Sequence, residues 1–333
     1  MTTETDTTIY KRDPRQLFPY SARPLKIVRQ APKAILRSDK ARGDTDTILT
    51  FESPTDFAAH AYGVATTSAF NDIAGSWEDN ESLQSACQKI VKGDNKRVPM
   101  SDKLLSKMEE VHAPRTKYAY VHDVAGSKVD IGRFLAGDPL NMKRRTKRPT
   151  DQAPLAIIAD VTVSAGITAE QQAARGAAVL ALVRALSDIR PVTLYAFSGL
   201  EAANGGIYSV IRMDTSPLDL ARASFMLQSA AMLRRTAFAI ADGYGFHGGW
   251  PYRATHGGGH DKDSPLYRDH VHAILAGTVP EEQFLYVAGG YLHDKHTPNL
   301  DTNPELWLTD MLRQFGDPLA EEEGHSFEGA HGA

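Results

Sequence analysis

An apolar run closes on Asp160-Val161-Thr162-Val163-Ser164, where a carboxylate and two hydroxyls recur at alternate positions. All three donors are oxygen, a set that suits a hard divalent cation. Mg²⁺ in particular keeps several of its waters and takes few protein ligands. The run Leu155 to Val163 is continuous but for Asp160, which is how a strand buried on both faces reads. In an open parallel sheet, ligands bind beyond the carboxyl ends of the strands. The trio is therefore expected uncovered at the rim of such a sheet, although Thr and Ser at a strand end also serve as caps and turn formers.

Seven of the twelve histidines lie between His247 and His296, among them His256 and His260 four apart and the cluster His293-Asp294-Lys295-His296. Imidazole with carboxylate suits Zn²⁺ or another transition metal, which makes a metal-dependent hydrolase one reading. The surrounding loop is rich in glycine and no HExxH frames the pair, so exposed loop histidines are the simpler one. There is no GxxxxGK[ST] phosphate loop, no GxGxxG after a strand and no GxSxG elbow. The single cysteine, Cys87, allows no intrachain disulfide and no Cys-rich zinc site. It falls in an expected helix and reads as packing rather than as a nucleophile.

A third chemistry is electrostatic. Lys143, Arg144, Arg145, Lys147 and Arg148 put five bases into six residues, an exposed run because uncompensated charge is not buried cheaply. A second basic stretch, Lys11 to Arg42, holds ten Lys and Arg and includes Phe18 and Tyr20. Bases neutralise phosphate irrespective of sequence, and interleaved aromatics stack unpaired bases, so single-stranded DNA or RNA is an alternative partner. Residues 1–150 carry 25 basic and 19 acidic side chains and residues 151–333 carry 12 and 22, so the two parts stand at +6 and −10. Such asymmetry either marks contact with an anion or helps two parts pack. Beyond Arg313 there are five acids and no Lys or Arg, a layout similar to the acidic tails of single-stranded DNA-binding proteins.

These groups need elements to hold them. Residues 1–50, with Pro14, Pro19, Pro24 and Pro32, read as a basic extended arm. Residues 51–150 read as a helical, irregular region: one helix from Ser53-Pro54, one from about Glu81 to Lys92 ending at Gly93, and one capped by Ser101. From Pro154 strands and helices alternate. A helix capped by Thr168 with Gln171 as its capping-box partner follows the first strand, then strands over 191–197 and 206–213. A helix opened by Ser216-Pro217 extends toward Ile240, a short helix covers 269–275, a strand 284–287 and a helix 304–314. The pattern predicts an α/β, doubly wound and mostly parallel sheet over 151–315, then a disordered acidic tail over 316–333. Composition is that of a soluble protein, at 42% apolar residues and net charge −4. No run approaches a membrane span and Met1 to Thr8 has no leader pattern, so a cytoplasmic protein without membrane contact is expected.

The DxTxS arrangement after a buried strand, followed by a helix and the strand ending at Ser198, resembles the von Willebrand factor A domain over about residues 153–300. The resemblance implies a metal-ion-dependent adhesion site in which Asp160, Thr162 and Ser164 hold Mg²⁺ that accepts an acidic residue from a protein partner. It further implies a Thr from a second loop, for which Thr236 is the candidate, within an expected helix. It also implies a late acid, which is Asp294, or Asp242 if 238–243 is a strand. A softer resemblance, carried by Val129 to Met142, Ala174-Arg175-Gly176 and Arg190-Pro191-Val192, is to tailed-bacteriophage proteins with such a domain. The expected function is a non-enzymatic phage protein acting as a binding or adaptor module through its von Willebrand A-like domain. Single-stranded nucleic-acid binding in phage transcription or replication is the alternative.

Overall fold

The computed structural model describes residues 2–4, 12–13, 26–30, 46–65, 79–111, 118–147, 153–163, 166–202, 205–215, 217–245, 253–254, 265–289, 300 and 303–316. In chain order they form β1 (Thr2–Glu4), β2 (Lys26–Gln30), β3 (Asp46–Phe51), α1 (Pro54–Val64), α2 (Leu83–Lys92), α3 (Val98–Val111), β4 (Tyr118–Asp123), β5 (Lys128–Val129), α4 (Ile131–Leu135) and β6 (Met142–Lys147). There follow β7 (Leu155–Asp160), α5 (Ala169–Ser187), β8 (Val192–Ala202), β9 (Gly205–Met213), α6 (Leu220–Gln228), a π-helix (Met232–Ala237), α7 (Phe238–Gly243), β10 (Arg253–Ala254), α8 (Pro265–Ala276), β11 (Gln283–Val287) and α9 (Pro304–Gly316).

The main sheet runs β1-β2-β3-β9-β8-β7-β11, with β10 paired to the far end of β8. Every residue of β7 is buried, as its lack of a polar face requires. Leu155, Ile157 and Ala159 join the larger core, with residues of α1, α2, α5, α6 and α7. Ala156 and Ile158 point to the opposite face and meet Val271, Ile274 and Leu275 of α8. The chain is therefore an α/β protein with helices on both faces of one sheet. The sheet is mixed rather than simply parallel. β7 pairs in parallel with β8 and β11, but β8 pairs antiparallel with β9. The two strands extend until only residues 203–204 separate them, and a link that short permits antiparallel pairing alone.

The amino-terminal part departs from expectation. Instead of an arm over 1–50, β3 lies parallel to β9, from Thr47 opposite Ile207 to Phe51 opposite Ile211. β2 and β1 then extend the sheet antiparallel. The boundary near residue 150 is thus not an edge of the sheet. Residues 118–147, expected to be helical and irregular, form a separate three-stranded sheet, β4-β6-β5, with the short α4. The basic run is therefore a strand over most of its length. The tail over 316–333, apart from Gly316, lies outside the described residues, as does most of the Lys11–Arg42 stretch.

Several helix ends follow their local signals. Ser53 accepts the Asp56 N–H at 3.2 Å, and Ser82 accepts that of Ser85 at 3.1 Å. Gly93 closes α2 at φ 84°, a left-handed conformation that suits glycine. Thr168 and Gln171 form the expected reciprocal box on α5. Two differences concern helix starts. Ser101 lies inside α3, its hydroxyl donating to the Val98 carbonyl, and α6 is capped by Asp219 rather than by Ser216-Pro217. The expected long helix to Ile240 is interrupted at Ser229, whose extended backbone (φ −91°, ψ 130°) ends α6 before the π-helix.

Two outcomes follow from this core. On a Gly176→Ala side chain the Cβ lies 2.4 Å from the Leu227 carbonyl oxygen, so α5 and α6 must separate. The expected loss is about 1–3 kcal/mol in urea unfolding. His60 is buried beside Phe51 and Tyr244, and desolvation lowers its pKa from 6.5 to about 3. Because the folded value lies below the unfolded one, the unfolded chain binds the extra proton. Stability from this group is complete above pH ~6.5 and falls by about 1.4 kcal/mol per pH unit toward pH ~3. His60→Gln should remove that increment when urea midpoints at pH 7 and 5 are compared with wild type.

Candidate functional site

The strand-end residues sit where the wound sheet reverses. From β7 the chain passes through α5 to β8 on one side, while β11 adds on the other. The carboxyl ends of β7 and β11 therefore flank a switch point, the place at which such sheets bind ligands. Register explains the local geometry. Tyr286 of β11 lies opposite Ile158, two residues before Asp160 and on the same face. Its hydroxyl donates to Asp160 Oδ2 at 2.6 Å, and the Thr162 backbone N–H donates to Oδ1 at 2.8 Å. Thr162 Oγ1 accepts the N–H of Gly199 at 2.9 Å, and the Val161 N–H meets the Phe197 carbonyl at 2.9 Å. Asp160 and Thr162 thus tie the end of β7 to both neighbouring strands. They are 6% and 0% exposed, which corrects the expectation of uncovered groups.

Behind them α5 contributes Gln172 and Arg175, both buried. The Arg175 guanidinium donates to the Ala288 carbonyl just after β11, and Gln172 Nε2 donates to the Ser229 carbonyl at 3.2 Å. With Asp160, Gly176, Leu227 and Val287 they line a cavity of about 20 Å³. A volume of that order holds about one water. Both Asp160 oxygens and the Thr162 hydroxyl already accept internal hydrogen bonds. As placed, these oxygens are engaged within the protein.

The other candidates fall elsewhere. Thr236 is fully buried in the π-helix, its hydroxyl bonded to the Met232 carbonyl one turn back. Asp242 is buried in α7, a helix as expected rather than a strand. Ser164 and Asp294 lie outside the described residues, as do His256 and His260. Among the described residues no group of three or more His, Cys, Asp and Glu is placed to hold a metal ion. Cys87 is buried in the core, and desolvation pushes its thiol pKa up, keeping it protonated. Lys143 and Arg144 lie on β6, paired with Asp130 at 2.9 Å and Asp123 at 3.0 Å. Arg145 and Lys147 occupy the same strand, and Arg148 lies outside the described residues.

Sequence reading missed Tyr286, Gln172 and Arg175. For the last two a signal existed, since they are polar residues three apart in a helix otherwise apolar on nearly every side. Tyr286 carried none, because its role depends on which strand lies beside β7. The Asp160–Tyr286 bond is testable as an energetic coupling. Tyr286→Phe should cost about 1–2 kcal/mol and Asp160→Ala about 2–4 kcal/mol in chemical unfolding, since the latter strands two donors. The double variant should fall short of the sum by about 1 kcal/mol or more, whereas additive losses would mean that the two groups do not interact.

No curated protein and no solved structure matches the chain. No helix among the described residues is long and apolar enough to cross a membrane. One family model does match, described as Domain of unknown function (DUF7192), over residues 33–272. That span takes in β3 through most of α8, and with it β7 and the small sheet but not β11, so the chain belongs to the DUF7192 family.

Proposed function

We propose that the chain is a non-enzymatic binding module of von Willebrand A type, meeting a protein partner at the carboxyl ends of β7 and β11. The observation that carries this reading is the coincidence of the DxTxS segment with the switch point of the wound sheet. An Asp at the end of a central strand, followed directly by a capped helix, is also what the family resemblance implies. The non-enzymatic part is supported by the way the polar groups are used. Asp160 holds Tyr286 and Thr162, and Thr162 holds Gly199, so these groups brace the rim rather than stand poised to react.

Direct contact with the partner then falls to exposed groups around the brace, such as Thr168 and Glu170 at the start of α5. Mg²⁺ is not needed for such contact, and the donor set argues against it. Adding millimolar Mg²⁺ to purified protein should leave the melting temperature within about 1 °C of that in EDTA, for wild type and Asp160→Ala alike. A rise of several degrees in wild type alone, equivalent to about 1 kcal/mol, would restore the cation-bridged version. Protein co-purifying with the tagged chain should be retained in EDTA and lost from Glu170→Arg. Retention by Glu170→Arg at wild-type level would remove the rim as the contact surface.

A further inference from the structure

The register of the small sheet β4-β6-β5 sorts its residue positions by face in a way the linear basic run does not show. Its register sets Tyr118 opposite Lys147, Tyr120 opposite Arg145 and His122 opposite Lys143, with Lys128 of β5 on the other side of Lys143. Strand alternation puts these seven positions on one face. Contacts fix the assignment: Lys143 Nζ and His122 Nε2 both reach Asp130 Oδ2, at 2.9 and 3.1 Å. The reverse face carries Val121, Asp123, Val129, Met142 and Arg144, where the one base is matched by Asp123.

Charge and aromaticity therefore separate onto one side. Four bases and two tyrosines share a face on which Asp130 is the acid in contact, and Lys128 there is exposed and Lys143 39% exposed. Residues two apart along a strand repeat every ~6.8 Å, so 143, 145 and 147 are a row of basic positions paired in register with positions 122, 120 and 118, a histidine and two tyrosines. Cations in a row follow a phosphate backbone, and aromatic positions on an open sheet stack unpaired bases. We infer that this face of β4-β6-β5 is a binding site for single-stranded nucleic acid. It is a different surface from the rim, and the two readings fail independently.

Fluorescence anisotropy of the full chain with labelled oligo(dT) and oligo(U) of about 20 nucleotides tests this directly. Both should bind at low salt, and the tighter of the two assigns DNA or RNA. Combining Arg145→Ala with Lys147→Ala should flatten the dependence of log K on log salt by about 1.4. Tyr120→Ala should weaken binding about 5- to 100-fold, and Tyr120→Phe should restore it. Tyr120→Leu serves the same purpose if circular dichroism shows the alanine variant to be unfolded. Arg144→Ala, on the reverse face, should stay within about threefold of wild type. The site is overturned if neither oligonucleotide binds at low salt, if Arg144→Ala weakens binding as much as the facing variants do, or if a duplex of the same length binds as tightly as the single strands.

Discussion

A strand without a polar face must sit where both faces are covered, and much of this molecule is arranged to satisfy that demand for β7. Its two sets of side chains enter different cores, one roofed by several helices and the other by α8. Each buried aliphatic side chain contributes about 1.5–3 kcal/mol of transfer free energy, which makes the central placement hard to exchange for an edge. With β7 in the middle, β8 and β11 take the flanking positions and the sheet acquires its switch point. The carboxylate that ends β7 is then carried into a place where water is scarce.

A buried carboxylate needs donors, and the neighbouring strands supply them. Tyr286 comes from β11 and the Thr162 N–H from the turn after β7, while Thr162 itself receives Gly199 from β8. The same oxygens that suggest a cation in the linear sequence are used here to clamp three strands. A DxTxS segment has both uses open to it, and the choice depends on how much space surrounds it. Gln172 and Arg175, both buried, line the small pocket beside it.

The basic run shows the converse effect. Read along the chain, Lys143 to Arg148 is an undifferentiated block of charge. Folded as β6, it divides between two faces. On one face Arg144 is compensated by Asp123, while positions 143, 145 and 147 line up with tyrosines and a histidine on the other. A local strand geometry, unremarkable in energy, thereby turns composition into a surface with a direction.

The sequence by itself determined those features whose cause is local. The burial of β7 follows from an unbroken apolar run, the start of α5 from the Thr168–Gln171 box, and the end of α2 from Gly93. Hydrogen bonds and side-chain sterics within a few residues decide such things. Only the tertiary structure decided what depends on partners far along the chain. Strands as short as β1, β2 and β3 acquire their identity from pairing, and β3 finds β9 some 160 residues later, at Thr47 opposite Ile207. Tyr286 meets Asp160 across 126 residues. Whether that aspartate faces a cation or a phenol is set by chain crossings, which no local periodicity encodes.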